Sequence, residues 1–127
     1  MNQLSKRSLS RLEGVNPLLI AIAVDAIKES PYDFGIAILG GKRTAEEQNN
    51  LFKKGKSKCD GFTNKSYHQS GNAFDIVCYK DGSITWDKDV FTAVAEHIKK
   101  IALQRYGADI KWGGDWVNFK DMPHFQI

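Results

Sequence analysis

The amino-acid sequence predicts an α+β fold, in which three helices flank a small, mainly antiparallel sheet. Segments with helical caps or helical periodicity are interspersed with short apolar or β-branched segments. Turn residues link the strand-like segments at hairpin spacing, which favours antiparallel pairing. The chain has 127 residues, enough for one hydrophobic core and too few for two ordinary domains. A single domain over residues 1–127 is therefore expected.

The first predicted helix runs from about Pro17 to Glu29, after a polar lead-in at residues 1–12. Asn16 is a favourable N-cap, and a proline in the first turn already has the helical φ angle. Ser30-Pro31 then ends the helix, because the residue before a proline is driven out of the α region. This assignment accounts for the apolar run at 18–24 as one helical segment.

The same apolar run loosely resembles a signal peptide, because basic residues precede it. However, Asn16-Pro17 interrupts the approach, and Asp25 ends the run after seven residues. A membrane span needs about 20 apolar residues. We therefore expect neither a cleaved signal nor a membrane span.

The next elements are a strand and a second helix. Asp33–Leu39 is short, apolar and partly β-branched, and it ends at Gly40-Gly41. Thr44 and Glu47 have the spacing of a capping box for a helix over Ala45–Lys54, which Gly55 closes. Residues 56–70 lack periodicity and are predicted as a surface loop that faces the substrate.

The C-terminal half predicts a hairpin, a long helix and two short strands. The strand Ala73–Tyr79 turns at Lys80–Ser83 and returns over Ile84–Trp86. Asp87 caps a third helix that continues to about Tyr106 and ends at Gly107. Its apolar positions share one helical face: Val90, Val94, Ile98 and Ile101. Ile110–Trp112 and His124–Ile127 are predicted as terminal strands around the turn Gly113-Gly114-Asp115.

The charge balance does not indicate a nucleic-acid partner. The chain has 18 basic and 15 acidic residues, a net charge of +3, and no basic stripe that alternates with aromatic residues. Five lysines nevertheless cluster in one stretch: Lys53, Lys54, Lys56, Lys58 and Lys65. A solvated helix end and loop is the simpler interpretation, and attraction to an anionic polymer is the alternative.

The two cysteines are not predicted to bind metal. Cys59 and Cys78 lie 19 positions apart, outside any CxxC spacing. Strand alternation places Asp75, Val77 and Tyr79 on one face, and Phe74, Ile76 and Cys78 on the other. Cys78 is therefore expected in the core, facing away from Asp75.

Candidate metal ligands come from the three histidines and nearby carboxylates. A catalytic zinc site needs about three N/O ligands and one open position. His68 lies at the end of the predicted loop, and Asp75 follows seven residues later on a strand. Gly71 and Ala73 between them leave room beside the backbone. His97 instead lies in the middle of a helix at the border of its apolar face, and is expected to be structural.

A second half of the site is predicted at the C-terminus. Pro123 excludes a regular helix there, so a turn carrying Asp121 into a strand that begins at His124 could aim both at one metal. A carboxylate beside a metal-activated water can take its proton and pass it to a leaving amine. Spacing alone leaves a structural role open, because isolated histidines are commonly surface or core residues.

The motifs resemble a known group of zinc metallopeptidases. Ser66, His68, Gly71, Ala73 and Asp75 form a Ser-x-His-x-x-Gly-x-Ala-x-Asp pattern. This pattern is similar to the first zinc motif of the D-alanyl-D-alanine carboxypeptidases and dipeptidases. Asp121-x-x-His124 resembles their second motif. Upstream, two stretches resemble the branch that contains phage L-alanyl-D-glutamate endopeptidase endolysins: 12–17, and Gly41–Thr44 with Gln48 and Leu51. The resemblance runs from Leu12 to Gln126 in the expected order.

The resemblance implies a hedgehog/DD-peptidase-like fold and a zinc ion on His68, Asp75 and His124. Asp121 is implied as catalytic base and acid, and Arg43 as the group that polarises the scissile carbonyl or holds a substrate carboxylate. The alternative interpretation of Arg43 is a surface cation without a function. It lies just before the start of a helix, where the helix dipole disfavours positive charge, and this favours the functional interpretation.

Three further residues are expected to bind substrate: Ser66, Gln48 and Trp116. Trp116 follows the stretch Gly113-Gly114-Asp115, which also resembles the endolysin branch and is expected to form a wall of the cleft. Trp116 and Trp112 would alternatively pack in the core.

The resemblance implies a zinc-dependent peptidoglycan endopeptidase, an endolysin that cuts the L-Ala–D-Glu bond of the stem peptide. Asp121 favours this branch over the D-Ala-D-Ala carboxypeptidases and dipeptidases, because the dipeptidase branch has Glu at that position. A non-catalytic zinc domain of hedgehog type is a further alternative, against which Asp121 and Arg43 both count. We expect a monomer that is made in the host cytoplasm and acts on the bacterial cell wall after release.

Overall fold

The computed structural model describes residues 2–118 and 120–127. Over this part of the chain the helices are α1 (Lys6–Arg11), α2 (Pro17–Ala26), α3 (Ala45–Lys53) and α4 (Lys88–Tyr106). The strands are β1 (Phe34–Ile36), β2 (Ala73–Lys80), β3 (Ser83–Thr85), β4 (Lys111–Trp112) and β5 (His124–Gln126). Short 3-10 turns lie at Ile27–Glu29, Tyr67–Ser70 and Gly113–Asp115. None of these helices is long and apolar enough to cross a membrane.

All strand pairs are antiparallel, and β2 is the strand that joins the sheet together. The C-terminal half of β2 pairs with β1 and β3, while its N-terminal half pairs with β5, which in turn pairs with β4. The turn between β2 and β3 has Asp81 at φ 53° and Gly82 at φ 80°. Positive φ at both positions is the hairpin geometry that Asp-Gly favours. The predicted α+β class with a small antiparallel sheet is confirmed.

The hydrophobic core lies between the sheet and α2 with α4. The four apolar residues predicted for one face of α4 are all buried. The predicted caps are also observed: the Asn16 side chain accepts from the Leu18 N–H, and Thr44 with Glu47 forms a capping box. Asp87 caps α4, and Gly107 ends it in the left-handed conformation. His97 Nε2 donates to the Ala26 carbonyl oxygen at 2.8 Å, so this histidine ties α4 to the end of α2.

The polar lead-in was not predicted to contain structure, and here the prediction is wrong. Residues Lys6–Arg11 form α1, a fourth helix, which Ser5 caps. Ser8 is buried, and its hydroxyl accepts the Ile36 N–H at 3.0 Å. Leu4, Leu12 and Val15 join the core. Most residues between these apolar positions are polar, so the sequence pattern did not predict a helix. The few apolar side chains nevertheless anchor α1 beside β1.

Candidate metal centre and active site

A capped turn positions His68. The Ser66 hydroxyl accepts the backbone N–H of His68 at 3.2 Å, and the turn Tyr67–Ser70 follows. Gly71 ends the turn with φ 78°, and a Cβ there would lie 2.6 Å from the Gly14 carbonyl oxygen. The serine and the glycine of the motif are therefore required by backbone geometry around the histidine.

Sheet register brings the second and third residues together. Asp75 on β2 lies directly opposite His124 on β5. Just before β5, the His124 N–H donates to the Asp121 carbonyl at 3.1 Å, and the Pro123 carbonyl accepts the Ile76 N–H at 3.0 Å. The predicted turn from Asp121 into a strand at His124 is observed, and it connects directly to β2.

Three side-chain atoms from these residues form a triangle. His68 Nε2 lies 3.2 Å from Asp75 Oδ1 and 3.2 Å from His124 Nδ1, and the last two atoms are 3.0 Å apart. Ligand atoms of a tetrahedral zinc with bonds of about 2.0 Å are about 3.3 Å apart. Because the three separations are close to that value, the triangle has the right dimensions for one small ion.

Hydrogen bonds outside the triangle orient both imidazoles. His68 Nδ1 lies 2.9 Å from the Gly41 carbonyl oxygen, and His124 Nε2 lies 2.7 Å from Gln126 Oε1. Both partners are acceptors, so each of these ring nitrogens carries the proton. When the imidazoles are neutral, the other nitrogen of each ring has a lone pair facing the triangle, as a metal ligand requires.

The electrostatics of the triangle favour an ionised Asp75. Burial alone would raise the pKa of Asp75, but hydrogen bonds from His124 and His68, and their charges, outweigh burial and hold the pKa well below its usual range. Burial likewise opposes protonation of His124, while its bond to Asp75 raises its pKa. A cation bound at the triangle would replace those protons as the partner of the carboxylate.

Arg43 is bound to the other oxygen of Asp75. Its Nη2 donates to Asp75 Oδ2 at 3.1 Å, its Nη1 to Gln48 Oε1 at 3.0 Å, and its Nε to the Leu39 carbonyl at 2.7 Å. Its side chain is only 11% exposed. Arg43 therefore lies at the site, where it holds Asp75 with Oδ1 turned toward the histidines.

Gln48 lies behind Arg43 and not on an open surface, so its predicted contact with substrate stays a prediction. The residue is fully buried, with 0% exposure. Its amide NH₂ donates to Ser57 Oγ at 2.8 Å and to the Cys59 carbonyl at 2.9 Å, while its oxygen accepts from Arg43. The resemblance to the endolysin branch suggested a binding role, and the structure encloses the amide behind Arg43.

Asp121 lies beside the triangle and is exposed. Among the described residues, nothing donates a hydrogen bond to its carboxylate. Desolvation by surrounding protein atoms and the charge of Asp75 raise the pKa of Asp121, although His124, His68 and Arg43 partly oppose this. Gly113 approaches so closely that a Cβ there would collide with the Asp121 carbonyl. The carboxylate is thus free to contact a water or a substrate.

The two tryptophans have different environments. The Trp116 ring is half-buried, and its centroid lies 5.3 Å from that of His124. Trp112 is buried at 4% exposure, and its Nε1 donates to the Met122 carbonyl at 2.7 Å. Trp116 therefore borders the triangle, and its role as a cleft wall stays a prediction, whereas Trp112 packs in the core.

The competing candidates lie outside the triangle. Asp115 accepts from Lys99 Nζ at 2.7 Å on an exposed surface. Cys78 is fully buried in the core, as strand alternation predicted, and burial raises the pKa of its thiol to about 12. His97 is bound to the backbone of α2. Among the described residues, the group that can hold a metal through three side chains is His68, Asp75 and His124.

Two groups that support the site were missed by the sequence analysis. Gln126 is the acceptor for His124, and the Gly41 carbonyl is the acceptor for His68. Strand alternation could have predicted Gln126, because it lies two residues after His124 on a predicted strand and so shares the same face. The Gly41 carbonyl carried no such signal, since any residue has one.

The chain is similar to known peptidases along most of its length. A family model described as "Phage L-alanyl-D-glutamate peptidase" matches residues 1–125. Peptidoglycan L-alanyl-D-glutamate endopeptidase CwlK of Bacillus subtilis is 34% identical, and the match covers 81% of this chain and 68% of that protein. The L-alanyl-D-glutamate peptidase of Escherichia phage T5 is also 34% identical, over 87% of this chain and 79% of the phage protein.

A solved structure has a similar fold. The crystal structure of Serratia marcescens L-Ala D-Glu endopeptidase ChiX superposes with a TM-score of 0.85 at 30% sequence identity. The match covers 99% of this chain and 90% of that one. The chain is therefore similar in sequence and in fold to proteins that are named L-alanyl-D-glutamate peptidases or endopeptidases.

Proposed function

The chain belongs to the phage L-alanyl-D-glutamate peptidase family, and we propose that it is a zinc-dependent endopeptidase that hydrolyses the L-Ala–D-Glu bond of peptidoglycan stem peptides. The observation that carries the zinc proposal is the triangle of His68 Nε2, Asp75 Oδ1 and His124 Nδ1, with sides of 3.0–3.2 Å. Two imidazoles and one carboxylate, with an outer hydrogen bond on each imidazole, make a donor set of the catalytic zinc type.

The donor set favours zinc over the harder divalent cations. Calcium and magnesium prefer shells of oxygen atoms, and calcium takes six or more ligands. The triangle offers two nitrogens and one oxygen, and its short sides suit a small tetrahedral ion. When bound, zinc would lower the pKa of a coordinated water and polarise the scissile carbonyl.

Asp121 is the proposed general base and general acid. Its carboxylate is exposed beside the triangle, and its raised pKa brings it closer to the working pH. It accepts the proton of the attacking water as the bond from oxygen to the L-Ala carbonyl carbon forms. It then donates that proton to the D-Glu nitrogen as the C–N bond breaks, which leaves a carboxylate and an amine.

Arg43 and Trp116 are proposed to support this reaction from two sides. Arg43 holds Asp75 in its orientation through Oδ2. The guanidinium has five N–H groups, so a substrate oxygen remains a proposed further partner for Arg43. Trp116 borders His124 as a proposed cleft wall, and the Ser66 hydroxyl, which accepts from His68 N–H, still has its own proton to donate to substrate.

The biological setting is proposed from the phage relatives. Synthesis in the host cytoplasm, release, and then action on the bacterial wall would suit a lytic enzyme of this family. We propose that the working form is a monomer, because all the ligands of the triangle come from one chain.

Elemental analysis and product analysis together test this function. Purified protein should contain about one zinc ion per chain, and a chelator should remove both the zinc and the activity. Mass spectrometry of digested muropeptides should find new L-Ala C-termini and new D-Glu N-termini. Release of free D-alanine would instead identify a D-Ala-D-Ala carboxypeptidase. Zinc binding without any product would identify a non-catalytic zinc domain.

A further inference from the structure

A basic surface lies between α3 and the turn that carries His68. We define it as Lys53, Lys54, Lys56 and Lys65, which are all exposed. Lys58 lies within the same stretch and makes interactions of its own. The mechanism proposed above uses none of these side chains, so their concentration in 13 residues of a chain with a net charge of +3 is unexplained.

The positive charge of this surface is not neutralised locally. Some lysine and arginine side chains elsewhere do pair with carboxylates, as Lys99 does with Asp115 and Arg105 with Asp25. Within the described residues, no carboxylate oxygen lies within 4.0 Å of the four ammonium groups. The acid in the same stretch, Asp60, instead accepts three backbone N–H groups at 2.9–3.0 Å through one oxygen.

Buried hydrogen bonds hold the loop that carries these lysines. The Gln48 amide donates to Ser57 Oγ at 2.8 Å and to the Cys59 carbonyl at 2.9 Å. Asn49 donates to the Asp60 carbonyl at 2.8 Å, and Gln69 donates to the Gly61 carbonyl at 2.8 Å. The loop is thereby tied to α3 on one side and to the His68 turn on the other. Charges on an ordered loop lose less entropy when they bind a partner.

The basic surface begins close to the proposed zinc ligands. Lys65 precedes His68 by three residues, which limits their Cα separation to about 11 Å. A ligand on the surface would therefore also lie near the bond to be cut. Peptidoglycan offers such a ligand, because carboxylates of its stem peptides repeat along the glycan strand.

We propose that the basic surface binds the carboxylates of stem peptides that neighbour the one being cleaved, and so holds the enzyme on the wall. This inference rests on the proposed function. Single exposed ion pairs are weak. Several weak contacts to a repeating polyanion add through a high effective concentration, and unpaired positive charge increases the rate of encounter. The surface would matter for the intact wall and not for a single soluble muropeptide.

Two variants with equal charge test this proposal. The first replaces the basic surface: Lys53→Gln, Lys54→Gln, Lys56→Gln and Lys65→Gln. The second replaces four exposed lysines elsewhere: Lys6→Gln, Lys28→Gln, Lys88→Gln and Lys100→Gln. Each change takes the net charge from +3 to −1, since 3 − 4 = −1. A third variant carries arginine at the four positions of the basic surface, which retains the charge.

The measurements are brief co-sedimentation on ice with sacculi stripped of phosphate polymers, and hydrolysis of a soluble muropeptide. In low salt, the first variant should bind sacculi about tenfold more weakly than the parent, while the second and third should bind like the parent. In 1 M salt the difference should disappear, because the screening length falls to about 3 Å. All variants should hydrolyse the soluble muropeptide at the parental rate.

Each contrary result has a distinct meaning. Equal loss in the first two variants would attribute binding to net charge and overturn the proposal. Unchanged binding in the first variant would also overturn it. A loss seen only with sacculi that retain their phosphate polymers would show that phosphate, not peptide carboxylate, is the ligand. If the parent fails to hydrolyse the soluble muropeptide, the proposed function fails, whatever the binding result.

Discussion

At the scale of single residues, each side chain of the proposed zinc site points one polar atom at the metal position and binds a neighbouring protein group with another. His68 and His124 direct one ring nitrogen into the triangle and the other to a fixed acceptor. Asp75 directs Oδ1 to the histidines and Oδ2 to Arg43. The outer partners thus orient the side chains of the triangle and favour one tautomer of each neutral imidazole.

Gln126→Leu tests this outer layer. The substitution removes the acceptor that lies 2.7 Å from His124 Nε2 while it keeps a similar side-chain volume. We expect zinc affinity to fall by about 10–100-fold, the usual effect of losing a partner of a metal-bound histidine. Competition with a chromogenic chelator would measure it. Gln104→Leu, an exposed position on α4, is the matched control and should keep the parental affinity.

Asp121→Ala tests the general base. No proposed ligand is removed, so the variant should fold and bind about one zinc ion per chain. Hydrolysis of muropeptides should fall by roughly 10²–10⁴-fold, the range for loss of general acid–base catalysis. The control is Asp115→Ala, because Asp115 is paired with Lys99 on the surface. If Asp115→Ala abolishes hydrolysis and Asp121→Ala does not, the two roles must be exchanged.

At the scale of elements, β2 carries both the core and the site. The buried side chains of β2 face the helices: Phe74, Ile76 and Cys78. Asp75 lies on the other face of β2, directly opposite His124 on the neighbouring strand β5. A shift of one residue in this register would move Asp75 into the core and Phe74 out of it. The apolar face therefore locks the register that assembles the triangle.

Gly113→Ala tests how the segment before β5 is positioned. A methyl group there would overlap the Asp121 carbonyl, whose oxygen lies 2.2 Å from the ideal Cβ position. We expect the turn that carries Asp121 to be displaced, so hydrolysis should fall at least tenfold while bound zinc, measured by elemental analysis, stays near the parental content. A parental hydrolysis rate would show that Asp121 tolerates this movement.

The control for Gly113→Ala is Gly55→Ala. Gly55 has φ 73° and no atom within 4 Å of an added Cβ. Alanine there should cost about 1–2 kcal/mol of stability through left-handed backbone strain. Zinc content and hydrolysis should not change, because Gly55 lies in the exposed turn after α3.

At the scale of the whole molecule, one core supports the sheet from β1 to β4, and Cys78 belongs to it. The double variant Cys59→Ser, Cys78→Ala should lose about 1 kcal/mol in the free energy of unfolding, because a small buried side chain is truncated. Denaturant unfolding would measure this. Zinc content and wall lysis should be nearly parental, and loss of zinc from a folded double variant would contradict the proposed ligand set.

The local elements were largely predictable from the sequence. Asn16, the Thr44–Glu47 capping box, Asp87, Gly107 and the Asp81-Gly82 turn all act within a few residues, and the structure confirms each of them. The burial of Cys78 followed from strand alternation alone. The helix α1 was missed because its stability comes from contacts with β1, such as Ser8 with Ile36, which no local pattern contains.

The sequence by itself determined the fold class, the caps and turns, and which residue types were available as metal ligands, because these follow from local backbone preference and side-chain chemistry. Only the tertiary structure decided which of them meet. It paired Asp75 with His124 through antiparallel register, placed His68 Nε2 3.2 Å from both, and turned Arg43 toward Asp75 with Gln48 buried behind it. These contacts join residues 32–56 positions apart, except for the local pairs Arg43–Gln48 and His68–Asp75. Their geometry depends on how the core packs the sheet, and no spacing along the chain can specify it.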